Sequence, residues 1–586
     1  MIEYRHREDE AVLKLFRYLR AKEIVMFVGL IAFLVVQVFC DVTMPAYTAE
    51  IVAKMQAGEE AASILHTGGI MLAFAAGSVA ATIAETFLSA RISTRLGRRL
   101  RGEVFAHVVN FSDKDAGSFS AGSLLTRTTN DVQQVVTAMV LGLRLGIGAP
   151  LMAVMAIIRI AQSSGELTIV TVVAVVILLA AIMAILMIVL PRFKLIQKLT
   201  DKLNGTMRDT LTGIRVVRAY NAEDFQRVRF EEASEAFAKN NVFTGRTTAA
   251  MSPVMQLVYN GLTLAIYWIG CFIIVRDNNA AFFPTMFSFT QLASQVVTAF
   301  MVLIMLFNLL PRAQVSAKRI LEVLNKKSDI LDPAAPADYA CDGSIEFADV
   351  SVGYGGKPVL QNISFRVERG QTLAIVGGTG VGKTTLLKLM LRFLDAEEGS
   401  VKVGGADVKD VEQKQLRASL GYAPQKSVLL SGTVRQNLAF ADPNLSEDAL
   451  LSAARLACAD EFLDEKGGLN AEVAQGGKNF SGGQRQRLSI ARAVAKRPKI
   501  ALFDDSFSAL DFATDAKVRH NLKEQLPDVT KVIVAQRIST VRDADVIVVL
   551  DGGKAVGVGT HAELLQSCSV YKEIAASQLT EEELSA

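Results

Sequence analysis

The sequence predicts two joined architectures, a membrane α-helical bundle of six spans followed by a soluble α/β domain. At 586 residues the chain is longer than one hydrophobic core usually supports, about 250 to 300 residues. Hydrophobic residues make up 51% of it and its mean hydropathy is +0.32, which is high for a soluble protein, yet 21% of its residues are charged. From about Gly343 the long apolar stretches give way to short β-rich segments and glycine turns.

The N-terminal segment, residues 1–23, is rich in Arg, Lys and Glu and carries no cleavage pattern before the first apolar stretch. We therefore expect a retained cytoplasmic segment rather than a signal peptide. The net charge of +3 gives no reason to expect a nucleic acid partner. The cysteines are scattered and form no CxxC pair, so neither a disulfide nor a zinc site is expected. They are Cys40, Cys271, Cys341, Cys458 and Cys568.

Six apolar stretches follow, each about long enough to cross a hydrocarbon core of roughly 30 Å. Ser163, Ser164 and Gly165 separate the third stretch from the fourth and predict a tight helical hairpin. The transmembrane domain is therefore predicted at 24–315. The six stretches are 24–44, 67–90, 136–162, 166–190, 253–275 and 283–311.

Basic residues follow the second and fourth stretches, whereas the connections on the other side are short and poor in Lys and Arg. Connections rich in positive charge usually stay in the cytoplasm. We therefore expect a multi-pass protein of the cell membrane with both termini in the cytoplasm. The basic clusters are Arg91, Arg95, Arg98, Arg99 and Arg101, and Arg192, Lys194, Lys198 and Lys202.

The two inner connections, 91–135 and 191–252, are too long for turns and keep a helix-forming composition. They are expected to extend the helices beyond the bilayer, although an ordinary soluble insertion is the alternative. A helix from Ile64 to Asn110 would be about 70 Å long at 1.5 Å per residue.

Three charged residues, Glu85, Arg144 and Arg159, lie in or near the spans, where an unpaired charge is costly. Pairing or snorkelling is favoured over contact with a ligand. The last span is rich in Phe and Met, which could line a pathway for apolar compounds, but packing against lipid or neighbouring helices is favoured. These residues are Phe287, Phe289, Phe300, Met301, Met305 and Phe307.

After a linker predicted at 316–342, the α/β domain is predicted at 343–577, with a tail at 578–586. Its first strong signal is the buried-strand pattern at 373–376, which is followed by a glycine-rich loop and a helical run. This is a complete Walker A motif in the strand–loop–helix context that it requires, and a chance glycine loop is therefore disfavoured. The loop residues are Gly377, Gly378, Thr379, Gly380, Val381, Gly382, Lys383 and Thr384, and Thr385 continues into the helix.

The residue types in this loop suit a bound nucleotide. Glycines let successive backbone N–H groups surround phosphate oxygens, and the helix N-terminus adds a positive dipole. Lys383 would supply charge to the β- and γ-phosphates, and Thr384 would offer its hydroxyl to Mg²⁺. About 120 residues downstream, the apolar run 500–503 ends in Asp504 and Asp505. Paired with a Walker A motif, Asp504 is expected to be the Walker B ligand of Mg²⁺.

Between these motifs, residues 479–487 open a helix for which Ser481 is a well-placed cap. The segment from Phe480 to Gln484 resembles the signature motif of ATP-binding cassette (ABC) transporters, and the resemblance covers nearly the whole chain. It implies ATP and Mg²⁺ as cofactors. It also implies that Tyr354 stacks on adenine, that Gln425 is the Q-loop residue near the metal and that Asp511 belongs to the D-loop. The signature residues implied to contact phosphate are Ser481, Gly482, Gly483 and Gln484.

The membrane half resembles the exporters of the same family at 122–127, at Asn130 and Asp131, and at 213–220. The resemblance implies intracellular loops that carry coupling helices. It also implies that two ATP-binding cassettes pair head to tail, so that each ATP lies between one chain's Walker motifs and the other chain's signature motif. Export is preferred to import, because importers of this family usually carry their membrane subunits on separate chains.

Two positions depart from the family pattern in the region that would activate water. Where the family usually has Glu after the Walker B aspartate, this chain has the shorter Asp505, and where it usually has the switch His, this chain has Gln536. Gln cannot become cationic. The combination resembles the degenerate site of heterodimeric bacterial ABC exporters of the multidrug type, in which the partner chain carries the intact Glu and His. Tight binding and slow hydrolysis of ATP are therefore expected at this chain's own site.

The same residues also suit other functions. A regulatory membrane protein gated by nucleotide also suits a weak hydrolytic site, and a homodimeric exporter of lipids or peptides is a further alternative. A soluble DNA-repair ATPase also uses cassette motifs, but six apolar spans exclude it. The sequence does not identify the transported molecule, although the last span favours a small hydrophobic or amphipathic compound.

Overall fold

The computed structural model of the chain describes residues 11–163, 165–277, 282–326, 328–354 and 357–579. The predicted segments 1–23 and 578–586 lie partly outside these residues, and Ser164 lies outside them altogether. The described residues form two compact units. The N-terminal unit comprises 11–109 and 121–326, and the C-terminal unit comprises 110–120 and 328–579.

The N-terminal unit is helical. Within the described residues, six of its helices, α2, α3, α6, α7, α10 and α11, are long and apolar enough to cross a membrane, and they contain the six predicted stretches in order. The helices up to residue 324 are α1 (Ala11–Leu15), α2 (Ala21–Ala57), α3 (Ala61–Val109), α4 (Asp113–Gly117, part of the C-terminal unit), α5 (Ala121–Thr126), α6 (Val132–Ser163), α7 (Gly165–Thr212), α8 (Ile214–Ala219), α9 (Glu223–Ala249), α10 (Met251–Asp277) and α11 (Phe283–Leu324).

Several of these helices are longer than a membrane span. The helix predicted from Ile64 to Asn110 is confirmed as the single helix α3, and α7 continues from the fourth apolar stretch to Thr212. Helix α11 continues to Leu324, so residues 316–324, where the linker was predicted to begin, are helical.

The packing inside the N-terminal unit follows the expected preference for paired charges and buried apolar side chains. Glu85 and Arg144 form an ion pair with Oε1 and Nε 2.9 Å apart. Phe289 is 1% exposed and packs in the core between helices, which confirms packing for this residue, whereas Met301 and Met305 are exposed.

A π-helical turn, residues Arg127–Asp131, joins α5 to α6 within the loop that resembles the exporter pattern. Arg127 is buried and donates to the carbonyl oxygen of Arg319 at 2.6 Å, and Asp131 accepts from Ser316 Oγ at 2.9 Å. Both partners lie on α11. The polar residues of this loop therefore tie the turn to the far end of the last membrane helix.

The C-terminal unit is an α/β domain with a six-stranded sheet in the order β12-β11-β3-β10-β9-β6 and a four-stranded sheet in the order β2-β1-β4-β5. The strands are β1 (Ile345–Tyr354), β2 (Lys357–Val367), β3 (Thr372–Gly377), β4 (Glu398–Val403), β5 (Ala406–Asp407), β6 (Leu420–Ala423), β7 (Gly432–Thr433), β8 (Glu472–Val473), β9 (Ile500–Asp504), β10 (Thr530–Val534), β11 (Val546–Asp551) and β12 (Lys554–Gly559). The helices are α12 (Lys383–Met390), α13 (Gln413–Ser419), α14 (Val434–Leu438), α15 (Glu447–Leu456), α16 (Asp460–Lys466), α17 (Gly482–Val494), α18 (Phe512–Gln525), α19 (Ile538–Val541), α20 (His561–Ser567) and α21 (Ser569–Ala576).

The apolar run of β3 is buried on both faces of the larger sheet. Leu373 and Ile375 belong to the core shared with the four-stranded sheet, and Ala374 and Val376 belong to the core on the opposite face. Successive side chains of a strand point to opposite faces, so a strand covered on both sides needs an unbroken apolar run. The sequence signal for a buried strand therefore has a direct structural cause.

Helix α4 lies in the loop between α3 and α5 but belongs to the C-terminal unit. Ser112 caps the helix by accepting from the backbone N–H of Asp115 at 3.1 Å. The carboxylate of Asp113 contacts Lys388 Nζ of α12 at 2.7 Å. The buried carboxylate of Asp115 accepts from the backbone N–H of Asp329 at 3.2 Å. The ion pair of Asp113 thus joins α4 to the helix that begins with the Walker A lysine.

Candidate functional site

The predicted site residues converge because their strands are parallel neighbours. β3 lies between β11 and β10, and β10 lies between β3 and β9, all paired in parallel; β6 follows β9 in the same direction. The carboxyl ends of parallel strands meet at one edge of a sheet, where ligands usually bind. That edge carries the Walker A loop after β3, Asp504 at the end of β9, Gln536 after β10 and Gln425 after β6.

The Walker A loop needs glycine at both of its ends. Gly377 has φ +154°, and a Cβ there would lie 2.3 Å from the carbonyl oxygen of Leu550. Gly382 has φ +101°, and a Cβ there would lie 2.6 Å from Leu360 Cδ2. Both positions therefore exclude a side chain on steric grounds as well as through backbone conformation.

Lys383 is the first residue of α12 and only 9% exposed. Its Nζ donates to the carbonyl oxygens of Gly377 at 2.8 Å and Gly378 at 2.6 Å. Burial lowers the pKa of this lysine, while the nearby charges of Asp505 and Asp504 oppose the shift. The ammonium group thus stands inside the loop, where a phosphate oxygen could replace the carbonyl contacts.

Thr384 and Asp504 form the corner that fits a magnesium ion. Thr384 Oγ1 donates to Asp504 Oδ1 at 3.0 Å, and Asp504 is 1% exposed. Burial raises the pKa of Asp504, and the charge of Asp505 adds to this, whereas the hydrogen bond from Thr384 opposes it. A hydroxyl and a carboxylate side by side at a phosphate-binding loop fit Mg²⁺, which is typically held by few protein groups together with phosphate oxygens.

Asp505 and Gln536 contact each other directly. Gln536 Nε2 donates to Asp505 Oδ2 at 3.3 Å. Asp505 has φ +48°, and its backbone N–H donates to the carbonyl oxygen of Val534 at 3.0 Å. Burial raises the pKa of Asp505, and a hydrogen bond from Gln425 and the charge of Lys383 oppose this shift. The two residues that depart from the family pattern therefore form one hydrogen-bonded corner.

The signature segment forms the predicted cap. Ser481 Oγ accepts from the backbone N–H of Gln484 at 3.3 Å, and Gln484 Oε1 accepts from the backbone N–H of Ser481 at 3.0 Å. This reciprocal capping box begins α17. A Cβ on Gly482 would meet no atom within 4 Å, whereas one on Gly483 would lie 3.2 Å from the carbonyl oxygen of Ala509.

The structure does not bring all predicted residues together. Across the described part of the chain, no hydrogen bond or ion pair joins residues 481–484 to the Walker A residues 377–385. Tyr354 lies at the end of β1, in the other sheet, and is 36% exposed. Asp511 caps α18 by accepting from the backbone N–H of Thr514 at 2.9 Å, and this bond lowers the pKa of its carboxyl group.

Three further residues position the site and were not assigned a role from the sequence. Gln486 Oε1 accepts from the backbone N–H of Ala509 at 3.0 Å, which ties α17 to the loop before α18. Arg537 Nη2 donates to the carbonyl oxygen of Ser508 at 3.1 Å. Gln578, the first residue of the predicted tail, holds the switch loop on both sides of Arg537.

The Gln578 contacts are specific to an amide side chain. Its Nε2 donates to the carbonyl oxygen of Gln536 at 2.9 Å, and its Oε1 accepts from the backbone N–H of Ile538 at 2.9 Å. Gln578 lies 42 residues beyond Gln536 in the chain, and no local pattern predicts the contact.

A P-loop α/β domain with a signature helix, fused to a unit of six membrane-spanning helices, defines a multi-pass membrane protein with an ATP-binding domain. Residues 360–508 match the family model described as ABC transporter, and residues 26–307 match the one described as ABC transporter transmembrane region. The chain belongs to the ABC transporter family, as a half-transporter of the exporter type with membrane and ATP-binding domains in one polypeptide. The predicted fold class is thereby confirmed.

Similar proteins include an ABC transporter ATP-binding protein of Mycobacterium tuberculosis, 39% identical over 551 residues, which cover 93% of this chain and 94% of that protein. YfiB of Bacillus subtilis, also an ABC transporter ATP-binding protein, is 32% identical over 519 residues, 88% of this chain and 90% of YfiB. The solved structure of a bacterial Atm1-family ABC exporter with ATP bound superimposes with a TM-score of 0.79 at 25% identity, over 96% of this chain and 100% of that one.

Proposed function

We propose that this chain is one half of a heterodimeric exporter that uses ATP to move a small hydrophobic or amphipathic compound across the bacterial cell membrane. Its own ATP site, with Asp505 and Gln536, binds ATP tightly and hydrolyses it slowly. Its signature residues 481–484 complete the active site of a partner chain that carries the Glu and the His. Both termini face the cytoplasm, in accord with the basic clusters after the second and fourth spans.

The observation that carries this proposal is the contact between Asp505 and Gln536. The amide donates to the carboxylate at 3.3 Å, so the group that would orient the attacking water already accepts a hydrogen bond from the switch residue. The carboxylate is also one methylene shorter than the usual Glu, and a displacement of about 1 Å can cost about a hundredfold in rate. Both features slow hydrolysis without weakening the phosphate-binding loop.

The geometry of the sheet edge supports the remaining roles. The backbone of the Walker A loop and Lys383 would hold the phosphates, and Thr384, Asp504 and Gln425 would hold Mg²⁺. The metal would supply positive charge that neutralises the phosphates. Binding of ATP draws the two cassettes together because the closed pair binds it more tightly than the open pair, and this difference drives the membrane helices outward.

A surface on the second intracellular loop supports a partner chain. Val216 and Tyr220, on and just after α8, are 61% and 80% exposed, and Phe225 nearby is 67% exposed. An apolar patch of this kind on an otherwise polar loop is typical of a protein–protein contact. The multidrug efflux ATP-binding/permease protein of Mycobacterium bovis is 28% identical over 86% of this chain, although the match covers only 42% of that longer protein. This similarity supports export of small molecules as the function of this chain.

ATPase measurements on the full-length chain, reconstituted alone, test the proposal. We expect ATP binding but slow turnover, since both sites of a homodimer would carry Asp505 and Gln536. A fast homodimer would overturn the partnership and favour the homodimeric alternative.

In the assembled transporter, Asp505→Asn should lower turnover only modestly, and near-complete loss of turnover would contradict the weak site. ATPase activity that no cargo stimulates, together with no uptake into vesicles, would favour the nucleotide-gated alternative.

A further inference from the structure

A cavity of about 290 Å³ lies inside the N-terminal unit, between α2, α3, α6 and α11. Its lining is amphipathic. Met152 and Val302 contribute apolar surface, whereas Gln37, Ser294 and Thr298 contribute polar groups. A concave, mostly apolar site with a few convergent polar groups is the usual form of a small-molecule binding site.

The ion pair of Glu85 and Arg144 lines this cavity, and its two members are exposed very differently. The side chain of Glu85 is 1% exposed, whereas that of Arg144 is 34% exposed. The carboxylate is already well satisfied. Glu85 Oε1 accepts from Arg144 Nε at 2.9 Å. The Gln37 amide donates to both carboxylate oxygens, at 3.2 and 3.1 Å, when its nitrogen faces Glu85. Glu85 therefore needs no further donor.

Arg144 has donors to spare. A guanidinium carries five N–H groups, and within the described residues only the Nε of Arg144 makes a hydrogen bond. Its Nη groups are left for a molecule that enters the cavity. A nearby carboxylate, Asp41, does not line the cavity and accepts from Ser78 Oγ at 2.5 Å. Among the lining residues, the charge that remains available to a ligand is thus positive.

We propose that this cavity binds the cargo by its anionic headgroup, a carboxylate, sulfonate or phosphate held by the Nη groups of Arg144, with the apolar chain of the same molecule against Met152 and Val302. Glu85 and Gln37 are positioning residues that hold the guanidinium in place. The inference rests on the proposed export function, because it names the chemical class of the exported compound. Planar guanidinium groups suit such anions because they can donate two parallel hydrogen bonds.

Direct binding to the full-length chain in nanodiscs of zwitterionic lipid, without nucleotide, tests this inference separately from the ATPase proposal. The probes share one ten-carbon chain: decanesulfonate, decanol and decyltrimethylammonium, below their micelle concentrations and corrected for empty nanodiscs. We expect decanesulfonate to bind most tightly. Equal binding of the sulfonate and the alcohol, or preference for the ammonium compound, would overturn the inference while leaving the ATPase result untouched.

Variants separate an anchor from a structural ion pair. Loss of charged hydrogen bonds in Arg144→Gln should weaken sulfonate binding about tenfold to a hundredfold and leave decanol binding unchanged. Glu85→Gln keeps an oxygen that can accept from Arg144 Nε and removes the negative charge beside the guanidinium. This variant should therefore bind the sulfonate at least as tightly as the wild type. Arg276→Gln, which removes an exposed arginine paired with Glu166 at 2.9 Å, is the matched control and should change nothing. Equal losses in Glu85→Gln and Arg144→Gln would assign the pair a structural role and overturn the inference.

The bilayer itself is a second source of the same chemistry, and a further arm of the experiment distinguishes it. Nanodiscs that contain an anionic phospholipid should leave the sulfonate affinity unchanged if the cavity selects single-chain cargo. A fall in sulfonate affinity in proportion to the anionic lipid would assign the cavity to a membrane lipid and overturn the assignment to cargo.

Met152→Trp, which fills the apolar part of the cavity, should weaken binding of both the sulfonate and the alcohol. Binding of MgATP shows whether Arg144→Gln is folded. If that variant does not bind MgATP, Met152→Trp becomes the decisive test, and unchanged sulfonate binding in it would overturn the inference.

Discussion

Asp505 combines a short carboxylate with an unusual backbone conformation. Its φ of +48° lies in the left-handed region, where Asp and Asn are enriched several-fold over other non-glycine residues. The backbone N–H is meanwhile fixed to Val534 at 3.0 Å. A longer side chain would reach further toward the phosphates from the same backbone, at a modest conformational cost. We therefore expect the reach of this carboxylate to limit the hydrolysis rate.

Restoring the family residues should accelerate hydrolysis. In Asp505→Glu/Gln536→His, the carboxylate gains one methylene and the switch side chain can become cationic, so we expect kcat of the chain reconstituted alone to rise by about tenfold or more. Asp505→Asn/Gln536→His is the matched control and should stay slow. An unchanged kcat in the restored variant, with ATP binding intact, would show that the two substitutions do not limit turnover.

Asp504 should give nucleotide binding a shifted pH dependence. Burial raises the pKa of its carboxyl group above the ordinary 3.8. Mg²⁺ needs the ionised form, so as pH falls, the Mg²⁺-dependent gain in ATP affinity should disappear at a higher pH than an exposed aspartate would allow. Titration with a fluorescent ATP analogue from pH 8 to 5, with Mg²⁺ or with EDTA, measures this gain.

Two comparisons make the pH experiment specific. In Asp504→Asn the Mg²⁺-dependent gain should be small at every pH, because the titrating ligand is gone. The EDTA series should vary less with pH than the Mg²⁺ series. A gain that is undiminished in the wild type at pH 5 would contradict the raised pKa.

Local elements were predictable, whereas contacts between distant elements were not. The strand–loop–helix around Lys383, the cap at Ser481 and the length of α3 depend on periodicity, glycine and capping residues within one segment of the chain. Arg144 and Glu85 are 59 residues apart, and Lys388 and Asp113 are 275 apart. Their pairing depends on how whole helices pack. The sequence indicated only that an unpaired charge would be costly, and it did not identify the partner.

Gln578 connects the end of the domain to the switch loop, and two variants separate its two hydrogen bonds. Gln578→Ala removes both, whereas Gln578→Glu keeps an acceptor for the N–H of Ile538 and loses the donor to Gln536. We expect faster hydrogen exchange at the amide of Ile538 in Gln578→Ala but near wild-type exchange in Gln578→Glu. Exposed Gln566 on α20 offers the control, Gln566→Ala. Equal exchange in all variants would show that Gln578 does not hold the loop.

The same contacts should affect turnover rather than nucleotide affinity. In the chain reconstituted alone, where every site carries Gln536, Gln578→Ala should lower kcat several-fold and leave KM for ATP nearly unchanged, because the phosphate-binding loop lies after a different strand. If Gln578 had only a structural role, Gln578→Ala would instead lower the melting temperature, and kcat would not fall independently of KM.

The chain passes from the N-terminal unit into the C-terminal unit and back again within one loop. The chain leaves the N-terminal unit after Val109, forms α4 in the C-terminal unit and returns at Ala121. Within the C-terminal unit, α12 begins at Lys383 and carries Lys388, which contacts Asp113 of α4. One short helix thus connects the phosphate-binding loop to the segment that joins the membrane helices. We therefore expect α4 to transmit the effect of ATP binding to the membrane helices.

The ion pair between Asp113 and Lys388 is therefore expected to couple ATP use to transport. Asp113→Lys and Lys388→Asp each place like charges side by side, so cargo-stimulated ATPase activity and vesicle uptake should fall several-fold while ATP affinity is unchanged. The pair is partly exposed, at 46% and 27%, and such pairs contribute at most about 1 kcal/mol, so a complete loss is not expected. The double swap should recover part of the activity, limited by the loss of a favourable negative charge in the first turn of α4.

The exposed pair of Lys114 and Asp329 provides the control, and Lys114→Glu should have a much smaller effect on ATPase activity and uptake. A double swap as impaired as the single variants, or a control that is equally impaired, would contradict a coupling role for this pair.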